Sequence, residues 1–221
     1  MFVDKNFAKK LLKSLTPPIM LDAAKVGYHY CKYSSGKRLF NGDDEVFKKV
    51  LSTGTVYGEY GCGASTIWVA KNTKCKILSV DGSSEWVDRI NKKCLKYAGV
   101  VVHLADLGVV KAWGRPAGYD LEENFSVYTD WIWLHNEKPD VVLVDGRFRV
   151  CSFLTSLLQA ESGTKIIFDD YVNRQHYHFV ERFISPVAFC GRQALFIVPP
   201  KQLLKVDDLV DSINKFRYVF D

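Results

Sequence analysis

Five short apolar runs limit the fold of this chain more than any other feature: TVYGEY (55–60), KILSVD (76–81), VVVHLAD (100–106), PDVVLVD (139–145) and TKIIFDD (164–170). Each is apolar on both faces, and all but the third lead into a helical pattern: STIWVAKN, SSEWVDRINKKCLKYAG, VCSFLTSLLQAES and NRQHYHFVERFI. Strands with two apolar faces that alternate with helices form a parallel sheet covered on both sides. VAFC and ALFIV, close together near the end, read as a hairpin. The expected class is α/β.

With 221 residues the chain has room for one well-buried domain. We divide it into an N-terminal helical extension (1–53) and a single α/β domain (54–221) with an insertion at 107–138. The extension opens with Phe2, Phe7, Leu11, Leu12 and Leu15 on one face of an amphipathic helix, and Asp43 or Asp44 is placed to cap a second helix ending near Leu51. The opening is too charged for a signal peptide, and no run approaches the ~20 apolar residues of a membrane span. Six cysteines without C-x-x-C spacing fit free thiols in a reducing compartment, so a cytoplasmic location is expected. A net charge of +5 suits an anionic ligand as well as a solvated surface.

All five strands deliver an acid at their carboxyl ends: Glu59, Asp81, Asp106, Asp145 and the pair Asp169–Asp170. Ligands of open parallel sheets bind outside that edge. Cap duty accounts for single cases such as Asp81 or Asp106, but carboxylates gathered at one edge need hydroxyls, an amine or a cation as partner. After the first strand Gly61-x-Gly63 is followed by Ala64, Ser65 and Thr66, so the third glycine of a dinucleotide fingerprint is missing. A carboxylate at Glu59 repels a pyrophosphate and suits an ammonium group. Asp81 is spaced to accept hydrogen bonds from a ribose. A positively charged nucleoside without phosphates fits better than NAD.

EYGCGAST followed by VDGSSEW resembles the first two motifs of class I S-adenosylmethionine-dependent methyltransferases, and the resemblance runs from about Thr55 to Val198. It implies a Rossmann-like methyltransferase fold, a mostly parallel seven-stranded sheet with helices on both faces and an antiparallel strand near the C-terminus. It implies S-adenosylmethionine as cofactor. Glu59, Gly61 and Gly63 would surround its amino-acid end, with Tyr60, Ser65 and Thr66 among the cofactor-binding residues. Asp81 would hold the ribose, Asp106 would lie near the adenine, and Gly82, Ser83 and Asp145 would also bind the cofactor. VLVDGRFR and IIFDDYVNR resemble the metal-dependent small-molecule O-methyltransferases, the macrocin-type sugar enzymes above all. That resemblance implies Mg2+ on Asp145, Asp169 and Asp170.

One position departs from that pattern. Where the macrocin-like sequences carry an acidic base two residues past the fourth-strand acid, this chain has Arg147, which cannot accept a proton. The candidate catalytic residues are therefore Asp145, Arg147 and His176. Arg147 and Arg149 either clamp a carboxylate or phosphate on the acceptor or pair with the neighbouring acids. His176 and His178 are two apart on a helix and do not share a face. Trp113, Trp131 and Trp133 of the insertion serve as a lid or as packing. The expected activity is O-methylation of a small, sugar-like or anionic acceptor. The alternative is a catalytically inactive, nucleoside-binding relative. Without an aromatic-interleaved groove the lysines of KNTKCK and NKKCLK are weak evidence for nucleic acid, and DGRF in place of an NPPY-type loop disfavours adenine methylation, so a nucleic-acid partner is not expected. No membrane partner is expected, and a homodimer is an allowed assembly.

Overall fold

A computed structural model of the chain describes residues 39–40 and 44–220. The amphipathic helix expected within the first fifteen residues, the capping alternative at position 43 and one of the six cysteines lie outside the described residues. The first described helix, α1 (Glu45–Leu51), precedes the alternation of β1 (Val56–Tyr60), α2 (Ala64–Asn72), β2 (Lys76–Asp81), α3 (Ser84–Cys94) and β3 (Val100–Leu104). The insertion contributes α4 (Phe125–Asp130) and several 3-10 turns. The chain continues through β4 (Val141–Val144), α5 (Arg149–Gln159), β5 (Lys165–Phe168), β6 (Ala188–Cys190), β7 (Gln193–Ile197) and α6 (Val206–Phe216).

The seven strands form one sheet in the order β3-β2-β1-β4-β5-β7-β6. The first five are parallel, while β7 runs antiparallel to both β5 and β6. Every residue of β1 and β4 is buried, as a sheet covered on both faces requires. The period of two divides their side chains between two cores. Tyr57, Ile77, Val141, Leu143 and Ile167 meet Phe47 and Leu51 of α1 and Val69 of α2. Leu78, Val80, Val142, Val144, Ile166 and Phe168 meet Phe153 and Leu157 of α5 and Leu209 and Ile213 of α6.

Ser83 caps α3, its Oγ facing the Trp86 N–H at 3.5 Å, and Gly99 beyond that helix has a φ of 76°. The segment after β5 is a 3-10 helix, Gln175–Arg182, rather than an α-helix. Its buried residues Tyr177 and Val180 are three apart, which is the 3-10 period. The insertion packs into the larger core through Phe125, Tyr128, Ile132 and Trp133. The five described cysteines are buried and free. Among the described residues no helix is long and apolar enough to cross a membrane.

Candidate functional site

Strand order reverses between β1 and β4, because the chain goes from β1 outward to β2 and β3 and then returns to the other side of β1. The ladder continues one residue past the strands. Gly61 N–H donates to Val80 O (2.8 Å), Asp145 N–H to Tyr60 O (3.1 Å) and Asp169 N–H to Val144 O (3.0 Å). The acids that follow the strands are thereby fixed along one edge.

Gly61 has a φ of +91°, and a Cβ there would stand 2.7 Å from Gly146 Cα. The turns after β1 and β4 therefore lie back to back, which only glycine permits. At Gly63 nothing stands within 4 Å of a would-be Cβ. That side opens on a cavity of about 440 Å³. One half is walled by Gly61, Cys62, Gly63, Ser65, Asp81 and Trp86. The other half carries Tyr128, Asp145, Arg147, Arg149 and Asp170, with Arg174 and Arg192 beside them. Trp86 and Trp113 also line an adjoining cavity of about 540 Å³ together with Ser83.

In the first half Asp81 accepts the Cys62 N–H on Oδ2 (3.0 Å) and the Ser83 N–H on Oδ1 (2.8 Å). Burial raises its carboxyl above the ordinary range, while these amides and the charge of Arg147 pull it down. The expectation for Glu59 needs correction. Its side chain is wholly buried and is not part of the cavity wall. Ser65 and Thr66 hydroxyls donate to it, as do Ser79 (2.8 Å) and Tyr57 (2.9 Å). Thr66 in turn accepts the Gly63 N–H at 2.8 Å. Glu59 thus sits under the glycine turn and positions it. Tyr60 is likewise buried away from the cavity, donating to Thr129 O (2.8 Å) and accepting from Trp133 Nε1 (2.9 Å). Gly82 is outside the wall of either cavity. Asp106 is exposed, accepts the Gly108 N–H at 3.0 Å and also lies outside both walls, as a turn residue does.

The second half is an alternation of acids and arginines. Arg149, only 4% exposed, reaches Asp145 at 3.1 Å and Asp170 at 3.3 Å, and donates to Asp169 O at 2.8 Å. Asp169, wholly buried, is held by Arg192 and by Gln193 Nε2 (3.0 Å). Asp170 is flanked by Arg174 (2.9 Å) and Arg192 (3.1 Å) and has a φ of 58°. Burial and the adjacent Asp169 carboxylate push the Asp145 carboxyl well above its usual range, with Arg149 acting in the opposite sense.

Carboxylate oxygens of Asp145, Asp169 and Asp170 lie within 4.8 Å of one another, and hard oxygen donors are what a magnesium ion takes. The charge they would offer is already met by three guanidiniums. As arranged, the cluster does not fit a divalent cation.

Arg147 lines the cavity. Its N–H donates to Tyr128 Oη (2.9 Å) and its Nε to the Trp113 carbonyl (3.0 Å). His176 is exposed, rests against the Tyr177 ring at 4.3 Å and is not part of the cavity wall. His178 bonds the Tyr171 carbonyl at 3.1 Å. Of the insertion's tryptophans, Trp113 borders the cavity. Trp131 stacks on His103 (4.6 Å) and Trp133 is core.

Sequence reasoning did not single out several wall residues, among them Trp86, Tyr128, Arg174 and Arg192. Tyr128 comes from the insertion, and Arg174 and Arg192 come from beyond the fifth strand. The one available signal was Arg174, four residues past Asp170.

No family model matches the chain, and no curated protein matches it. Among solved structures, a methyltransferase-like protein from Silicibacter pomeroyi is 28% identical, with a TM-score of 0.71 over 79% of this chain and 93% of that one. A methyltransferase from Geobacter sulfurreducens (12% identical, 89% of this chain and 98% of that one) has a TM-score of 0.47. An O-methyltransferase from Bacillus cereus in complex with S-adenosylhomocysteine (16% identical, 79% and 81%) has a TM-score of 0.40. These two superpose too loosely to bear on the reading. With the strand order and the reversed β7, the first likeness gives the chain a Rossmann-like methyltransferase fold.

Proposed function

We propose that the protein is an S-adenosylmethionine-dependent methyltransferase acting on oxygen of a small acceptor. The observation that carries this reading is the joining of two halves in one cavity at the switch point. One half has a nucleoside-compatible wall of Gly61, Gly63 and Asp81, and the other a polar wall of Tyr128, Asp145 and Arg147. Asp81 would hold the ribose hydroxyls, and the open space at Gly63 would admit the amino-acid end. Bound there, the cofactor supplies an electrophilic methyl group on a sulfonium.

The remaining work falls to this chain's own residues: orienting the acceptor, excluding water and taking one proton. Asp145 is the group suited to take that proton. It borders the cavity, and a carboxylate pushed above its usual range is a stronger base than an ordinary one. Arg147 holds the loop around Trp113 through that residue's carbonyl. The metal-dependent, macrocin-type variant of the reading is not adopted, because three arginines meet the charge of the acids, and no step is routed through a cation.

Calorimetric titration with S-adenosylhomocysteine tests the reading. Saturable binding that is lost in Asp81→Asn supports it, and a folded protein that binds neither that product nor S-adenosylmethionine overturns it. The inactive, nucleoside-binding alternative is favoured by one observation, the arginine at position 147 where the resembling enzymes have a base. It predicts binding with no methyl transfer to any hydroxyl acceptor.

A further inference from the structure

The segment that follows α6, residues 218–220, is laid against the insertion and the turn after β4. The Phe220 ring meets those of Tyr119 (4.9 Å between centroids), Phe125 (5.8 Å) and Phe148 (6.1 Å). Arg115 Nε donates to the Phe220 carbonyl at 3.2 Å, and its guanidinium stands 5.8 Å from the Phe220 ring. Tyr119 Oη donates to the Tyr218 carbonyl at 3.3 Å. None of these side chains lines either of the two cavities, and the methyl-transfer reading gives them no work.

Two routes lead from Phe220 to the rim of the site. The first runs through Arg115, whose carbonyl accepts the Lys111 N–H at 2.7 Å. Lys111 O in turn accepts the Gly114 N–H at 3.2 Å, which closes the turn that carries Trp113. The second runs through Phe148, which packs against Phe125 (5.0 Å) and Tyr128 (5.4 Å), and Tyr128 Oη accepts the Arg147 N–H at 2.9 Å. The routes meet where Arg147 Nε donates to the Trp113 carbonyl at 3.0 Å. Trp113 and Phe148 both have a left-handed backbone, with φ of 64° and 52°. A residue other than glycine keeps that conformation only where its surroundings over-determine it. Phe220 packs on one of the two directly and grips the turn of the other through Arg115.

We propose that Phe220 is a positioning residue of the site, clasping the Trp113 turn to the Arg147 turn so that the cavity rim keeps one shape. Without its ring the two left-handed residues lose packing that holds them, and the rim populates relaxed forms in which the Arg147–Trp113 hydrogen bond is broken. A ligand selects the intact form, so affinity falls with that form's population. The nucleoside as ligand rests on the methyl-transfer reading. The clasp itself does not.

The test is Phe220→Ala in the full chain, read by amide hydrogen exchange and by calorimetric titration with S-adenosylhomocysteine. Exchange in the segments 111–117 and 147–152 should quicken about tenfold, because both open locally once the clasp is gone. Affinity for S-adenosylhomocysteine should fall by a similar factor, about tenfold. Phe220→Tyr keeps the ring and should recover most of both. Val69→Ala truncates the core on the other face of the sheet and is the control for general loss of stability. It should lower thermal unfolding while leaving exchange in the two segments, and the affinity, at the wild-type values. Exchange at the rim that is unchanged in Phe220→Ala, or quickened equally in Val69→Ala, would overturn the proposal. So would a looser rim that binds S-adenosylhomocysteine as tightly as wild type. A looser rim in Phe220→Ala, when wild type itself binds neither S-adenosylhomocysteine nor S-adenosylmethionine, keeps the clasp and sinks only the methyl-transfer reading.

Discussion

Asp81, at the end of β2, accepts the backbone N–H of Cys62 from the turn after β1 at 3.0 Å, so a carboxylate of one strand holds the glycine turn of its neighbour. The same group faces the cavity where a ribose would lie. Asp81→Asn keeps the size and one acceptor but loses the charge. It should weaken S-adenosylhomocysteine binding about tenfold or more by calorimetry. Unchanged affinity in a folded variant would remove Asp81 from the ribose role.

Tyr60 provides the converse case. Its hydroxyl accepts the Trp133 indole N–H at 2.9 Å inside the core, away from the cavity. Tyr60→Phe leaves that donor buried without an acceptor, at a cost of about 1–3 kcal/mol in urea unfolding. Affinity for S-adenosylhomocysteine should stay at the wild-type value. A large affinity loss with intact stability would put Tyr60 on the ligand after all.

Glu59 sets a pH dependence. Burial raises its carboxyl above the ordinary 4.5, against the lowering effect of the Ser65, Thr66, Ser79 and Tyr57 hydroxyls. A carboxyl whose folded pKa lies above its unfolded one contributes stability that is fully present below the unfolded value and lost as pH rises through the folded one. Wild-type protein should therefore lose stability relative to Glu59→Gln from about pH 4.5 upward. Unfolding both proteins across that range checks the slope, and a pH-independent difference would show that Glu59 titrates alike in the folded and unfolded states.

The back-to-back turns predict intolerance to a single methyl group. Gly61→Ala forces a side chain to a φ of +91° and against Gly146 Cα, which should cost about 1–3 kcal/mol from the backbone alone. Gly146→Ala would place its Cβ 1.9 Å from Tyr128 Oη and must displace that ring. Thermal unfolding should drop in both. Equal stability of either variant with wild type would mean that the turns can separate.

Local patterns carried most of the fold into the sequence. Every expected strand is present, and the acids at 81, 106, 145 and 169 follow the strand ends as read. The role of Glu59 was misread because its position was judged by the neighbouring glycines. Its alternation with Tyr57 puts both side chains on the same inward face, where the hydroxyls at 65, 66 and 79 wait. The helix at 206–216 was overlooked although Leu209 and Ile213 share its buried face. Pairing of Arg149 with a neighbouring acid was an alternative the sequence allowed and is present with Asp145, whereas the part of Arg192 was beyond reach for a different reason. Arg192 and Asp169 are 23 positions apart and meet only because β7 inserts antiparallel beside β5.

That insertion orders the assembly of the site in time. During synthesis Asp145 and Arg149 leave the ribosome first and Asp169 and Asp170 follow with Arg174 close behind them, while Arg192 and the strand at Gln193–Ile197 come later. Until that strand docks, Asp169 has neither Arg192 nor Gln193 to receive its charge, and the sheet lacks the two strands beyond β5. A nascent chain halted after Arg174 would expose the unmatched Asp169 carboxylate and an open sheet edge together. Closing the edge and pairing Asp169 are a single late event, so quality control that senses the open edge also screens for an unfinished pocket.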